Sequence, residues 1–181
     1  MNTMKRLFLT LSLRRNLTFI DSQERGNDKK EFMDSQLYDI AYLIQFRDSV
    51  NTKVSKAPIA WHLDHCLKVI NRIHDILKSS DPKIYKKRFN SIRLFSFTFG
   101  YIPRGRGQAP AAVLPPDNIK TEDLLSQLEQ ARKNLKDLET MEKDSNFIHP
   151  VFGQLNIPQT KRFLKIHTQH HLKIVKDILK E

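Results

Sequence analysis

With 181 residues, 39% of them hydrophobic and 28% charged, the chain has the length and balance of one globular domain with a genuine core. Five glycines and few β-branched runs argue against a sandwich or barrel, and the single cysteine, Cys66, excludes an internal disulfide framework and a four-cysteine zinc site. The formal net charge of +11 is concentrated: residues 1–30 hold seven Lys/Arg against three Asp/Glu, and residues 81–107 hold seven against one, so overall basicity is weak evidence for a nucleic-acid partner, and no recognised nucleic-acid motif accompanies it.

The opening, MNTMKRLFLTLSLRRNLTF, imitates a signal peptide. Arg14 and Arg15 interrupt its apolar run, however, and no small-residue cleavage site follows. Residues 1–29 read as a poorly ordered or weakly helical extension, with a basic amphipathic membrane contact as the lesser alternative. The domain proper is expected over 30–181. No stretch approaches the roughly 20 apolar residues of a bilayer span. With the lone cysteine, this points to a reducing, cytoplasmic setting.

Helical periodicity begins near Lys30 and runs to about Arg47 through Phe32, Tyr38, Ile40, Leu43 and Ile44. A second helix starts near Pro58, a residue suited to a first turn. Ile59, Leu63, Cys66, Ile70, Ile73 and Leu77 form its stripe, and the SSDP sequence ends it. Residues 83–99 form a third, lesser helix rich in aromatics. The segment GYIPRGRGQAPAAVLPPDN is then a long irregular connection. Leu124, Leu128, Ala131, Leu135 and Leu138 mark the clearest helix, with Thr121 or Asn118 as its cap. FIHPVFGQLNIPQ is a second connection, and a last helix runs from about Pro158 toward the end. No strand is expected. The fold class is all-α, a four-helix bundle with an additional short helix and long loops, and bundle interiors are places where metal sites are built.

The last helix carries KIHTQHHLKIV. On a helical wheel Thr160, Leu164, His167, His171, Val175 and Ile178 share one face, with His170 on its margin. Two imidazoles at i and i+4 project from adjacent turns on one side, the spacing by which a helix offers two nitrogens to one ion. Thr168 stands where an HExxH motif has glutamate, so no metalloprotease base is present. A core role bonded to carbonyls accounts for one such histidine more easily than for two side by side. For a third ligand the second helix offers WHLDHCLK. Its periodicity favours His62 or Cys66 over His65, which lies on a flank. His74 is most simply a surface residue, and His149 caps, shapes or lines a pocket from its loop.

Taken together, His65–Cys66, HPVFG at 149–153 and HTQHH at 167–171 resemble the DinB/YfiT-like metal-binding superfamily of four-helix bundles, over roughly residues 35 to 181. The resemblance implies a metal triad of His65, His167 and His171. It also implies a divalent ion, zinc or nickel first, that activates a thiol or a water, as in the superfamily's thiol-dependent transferases or its metal-dependent hydrolases. The glutamine that often follows the last histidine in that family is replaced here by Lys173 and Ile174. His149 or His170 is the candidate acid/base. Arg104 and Arg106 are candidates to receive an anionic substrate or low-molecular-weight thiol, since arginine forks suit carboxylates. A non-catalytic metal-binding bundle with a structural or sensing role is the alternative. A homodimer through an outer helix face fits either.

Overall fold

A computed structural model describes residues 31–105 and 110–180. The expected N-terminal extension and Arg106 lie outside the described residues. From Phe32 on, the chain forms one compact unit. Its elements are α1 (Asp34–Leu43), α2 (Ile59–Lys78), α3 (Ser91–Phe99), α4 (Thr121–Asp137), a hairpin of β1 (Asn146–His149) and β2 (Gly153–Asn156), and α5 (Ile157–Ile178). Three short 3-10 turns, Ile44–Phe46, Pro82–Ile84 and Ala111–Val113, join them.

Helix α2 packs on both α4 and α5, and α1 packs on the same two. These contacts close a ring of four helices, so the described domain is a helical bundle. Each helix is held by its stripe: Leu37 and Ile40 on α1, Leu63, Leu67 and Ile70 on α2, Leu124 and Leu128 on α4, and Leu164 and Leu172 on α5 are all buried. Burying one such side chain stabilises by about 1.5–3 kcal/mol, and together they fix the faces that α2 and α5 turn to each other.

Local chemistry sets the boundaries. Asn156 accepts from the Gln159 N–H while the Gln159 side chain accepts from the Asn156 N–H, and Pro158 sits in the first turn of α5. The α4 start differs from expectation. Neither Thr121 nor Asn118 caps it. Lys120 is the cap residue, its N–H donates to the Asp123 carboxylate at 3.3 Å, and the Thr121 hydroxyl instead accepts from Arg47 at 2.8 Å.

Two further expectations are corrected. The third helix does not span 83–99. Asn90 accepts from the Arg93 N–H and starts α3 at Ser91, while Lys86 N–H and the Tyr85 hydroxyl bond to Gln154 and Gln159 and keep the preceding residues extended. Nor is the domain free of strands. Asn146 pairs with Asn156, Phe147 with Leu155, Ile148 with Gln154 and His149 with Gly153. The His149 ring closes this hairpin, its Nδ1 accepting from the N–H groups of Val151 and Phe152 at 3.1 and 3.2 Å. Gly153, with φ of +72°, supplies the left-handed residue the turn requires.

Candidate metal centre

One side chain of α2 and two of α5 meet in the bundle. The ring centroids of His65 and His167 are 5.1 Å apart, those of His65 and His171 4.9 Å, and those of His167 and His171 4.7 Å. One nitrogen from each ring lies within 4.8 Å of the other two. A tetrahedral ion with nitrogens at about 2.0–2.1 Å holds them roughly 3.4 Å apart, so gathering these three takes shifts of about 1 Å. The i, i+4 spacing of His167 and His171 works because both lie on the inner side of a continuous 22-residue helix.

Each ring has its own support. The His65 Nδ1–H donates to the Val113 carbonyl at 2.9 Å, which leaves Nε2 as the free lone pair. Trp61, one turn earlier on α2, stacks on the same ring with centroids 5.2 Å apart and planes 20° apart. His171 meets His62, with Nδ1 to Nδ1 at 3.0 Å, and the His62 Nε2 lies 3.0 Å from the Ser55 hydroxyl. His167 has no such partner. Its Nδ1 is buried without a hydrogen bond among the described residues. A buried polar nitrogen left in this way costs about 1–3 kcal/mol, and coordination nearby is a chemistry that would orient the ring and offset that cost.

The electrostatics keep the cluster neutral. Burial, more than anything else, lowers the His65 pKa, with the Val113 carbonyl acting in the opposite sense. Burial and then the neighbouring imidazoles hold His167 and His171 well below the usual range. Neutral imidazoles are the form that binds a metal. The donor set is three imidazole nitrogens that could hold one metal ion.

The other candidate residues fall in different places. His170 is half-buried against His171, with centroids 5.1 Å apart and planes at 90°. Its pKa is lowered by burial first and by the Arg104 charge second, against a raising hydrogen bond to the Ile102 backbone. His149 is spent on the hairpin turn, and Phe163 stands between its ring and His167, at 4.7 and 5.3 Å from the two. Arg104 donates to the Asp177 carboxylate of α5 at 2.6 Å. The long connection therefore touches the cluster through the Val113 carbonyl and the Ile102 backbone, with Arg104 held alongside.

Cys66 stands outside the three-histidine cluster. It is buried in the hydrophobic core, where burial pushes its thiol pKa upward. His74 is not a surface residue. It is buried, and its Nε2 lies 2.7 Å from the Asp137 carboxylate, tying α2 to the end of α4. Sequence reasoning did not single out Trp61 or Val113. Trp61 had a signal, as an aromatic four residues before His65 on the same helical face. Val113 had none, since it acts through a backbone carbonyl. No family model matches the chain, and no curated protein or solved structure matches it either.

Proposed function

We propose that this bundle binds one divalent metal ion through His65, His167 and His171, in the manner of the DinB/YfiT-like proteins its motifs resemble, and uses it as a thiol-dependent transferase or a hydrolase. The observation that carries the reading is the convergence of three neutral imidazoles on one point, one of them with an orphaned buried nitrogen. Zinc or nickel bound there would supply a Lewis acid that lowers the pKa of a thiol or water beside it. The chain's own part is orientation. Val113 and Trp61 hold His65, and His62 holds His171. His170 is the half-buried imidazole placed to take or give a proton beside the triad. Arg104 gives the adjoining connection a positive charge suited to an anionic thiol or substrate, in equilibrium with its Asp177 pairing.

The burial of His65 and His171 favours a second reading, in which the ion serves structure or sensing alone. Cobalt-loaded protein separates the two. A shift of the cobalt absorption on adding a small thiol indicates an open position and supports catalysis. A spectrum indifferent to thiol and to azide assigns the ion to structure.

A further inference from the structure

Helix α3 leaves most of its apolar side chains outside. Its inward side carries Ser96, the one buried residue of the helix, Phe97, half-buried against Phe152 with ring centroids 5.6 Å apart, and Arg93, whose guanidinium donates to the carbonyls of Phe152 and Gln154. Its outward side carries Ile92, Leu94, Phe95 and Phe99, all more than half exposed, and Phe89 just ahead of it is 83% exposed. Phe95 and Phe99 lie ring against ring at 4.7 Å. A helix at a protein surface ordinarily turns its apolar face inward, and a cluster of large exposed apolar side chains marks an interaction site.

The charge around this face is of one sign. From Pro82 to Pro116 the sequence contains no Asp or Glu. Lys83, Lys86, Lys87 and Arg88 are exposed in the segment leading into α3, and none of them makes an ion pair among the described residues. Apart from Ser91 and Thr98, the outer face of α3 offers no directional polar group.

We propose that α3 and the basic segment before it form a docking surface for an anionic lipid bilayer. Ile92, Phe95 and Phe99 enter the boundary between headgroups and acyl chains, and the lysines meet the phospholipid charges. Aromatic and aliphatic side chains beside Lys and Arg are the composition by which a helix lies in a membrane interface, and each basic residue near such a surface adds to the attraction. The same charges disfavour a second copy of this chain as the occupant, because two basic clusters would be brought together. Large apolar side chains set beside lysines with no ion-pair partner among the described residues also suit a fluid anionic headgroup layer.

Sedimentation of the full chain with vesicles tests this. Phosphatidylcholine vesicles are compared with phosphatidylcholine–phosphatidylserine vesicles, for the wild type and for two variants, Phe95→Ser with Phe99→Ser and Lys86→Glu with Lys87→Glu. All substituted side chains are exposed, and circular dichroism checks that the helices persist. The expected result is binding to the anionic vesicles only, weakened by rising salt and reduced about tenfold or more in each variant. No binding to anionic vesicles overturns the proposal. Binding that both variants leave unchanged also overturns it, by assigning the contact to another part of the chain. Light scattering that finds a wild-type dimer and a monomeric Phe95→Ser, Phe99→Ser protein, without vesicle binding by either, assigns the face to a second copy instead.

Discussion

The Nδ1 atoms of His62 and His171 lie 3.0 Å apart in the bundle interior, so one ring must donate and the other accept. If His171 presented Nε2 to an ion, its Nδ1–H would donate to His62, whose Nε2–H would in turn donate to the Ser55 hydroxyl. Ser55 is itself fixed by the Ala57 N–H at 3.1 Å. Partners of this kind orient a metal ligand and set its tautomer. His62→Ala is therefore expected to weaken metal affinity about 10–100-fold while keeping one ion per chain. Competition with a chromophoric chelator measures it, and wild-type affinity in the variant would deny His62 an orienting role.

Acid should destabilise the metal-free protein. Burial lowers the His149 pKa to about 4, and His62 is lowered to about 4 by burial and then by the neighbouring His65 imidazole. An unfolded histidine takes up its proton near pH 6.5, whereas these folded ones resist until about pH 4. The unfolded state thus binds more protons across that window, and stability is lost as pH falls through it. Urea midpoints should be level from pH 8 to 7 and fall steadily from about pH 6.5 toward 4. A midpoint that holds constant to pH 5 would show that these rings are not shielded from water.

Leu164 is fully buried on α5, one turn before His167 on the same face. Leu164→Ala should cost about 2–5 kcal/mol of stability, through lost burial and the cavity left behind. Because it loosens the seating of α5 on α2, metal affinity should fall with it. Denaturant titration with and without the ion reads both effects, and a loss under 1 kcal/mol would mean that the stripe is not the core it is taken for.

How much of this was legible in the sequence depended on length of repeat. Helices α2, α4 and α5 each carry a stripe long enough to show their period, and their identities follow from Leu63 to Leu77, Leu124 to Leu135 and Leu164 to Ile178. The hairpin has two four-residue strands, too short to establish an alternation, and it depends on the His149 ring meeting two backbone N–H groups. Helix α3 looked longer because the aromatics before Asn90 have helical spacing while their backbone groups bond elsewhere. For the site, periodicity favoured His62 or Cys66, both buried on α2. The cluster forms where the buried faces of two helices meet, and that is where His65 stands opposite His167 and His171. The family resemblance, not the wheel, pointed to it. His74 was misplaced because nothing in its own neighbourhood shows that Asp137, 63 residues on, comes within 2.7 Å.

Arg104 and Asp177 are both partly exposed, so water screens their ion pair and it adds little to stability. Arg104→Ala should leave stability and metal content close to wild type. If the guanidinium serves an anionic thiol, the variant should bind mercaptosuccinate more weakly and 2-mercaptoethanol unchanged, as read from the cobalt spectrum. Equal responses to both thiols would confine Arg104 to its Asp177 pairing.

The most direct measurement is the metal content of protein purified without a histidine tag, for the wild type and for His65→Ala, His167→Ala and His171→Ala, with folding checked by circular dichroism. One equivalent of a single divalent ion in the wild type, and less than about a tenth of that in each folded variant after dialysis, is the predicted result. A wild type that holds no ion after exposure to zinc and to nickel, or a folded His167→Ala protein that retains its full equivalent, would contradict it.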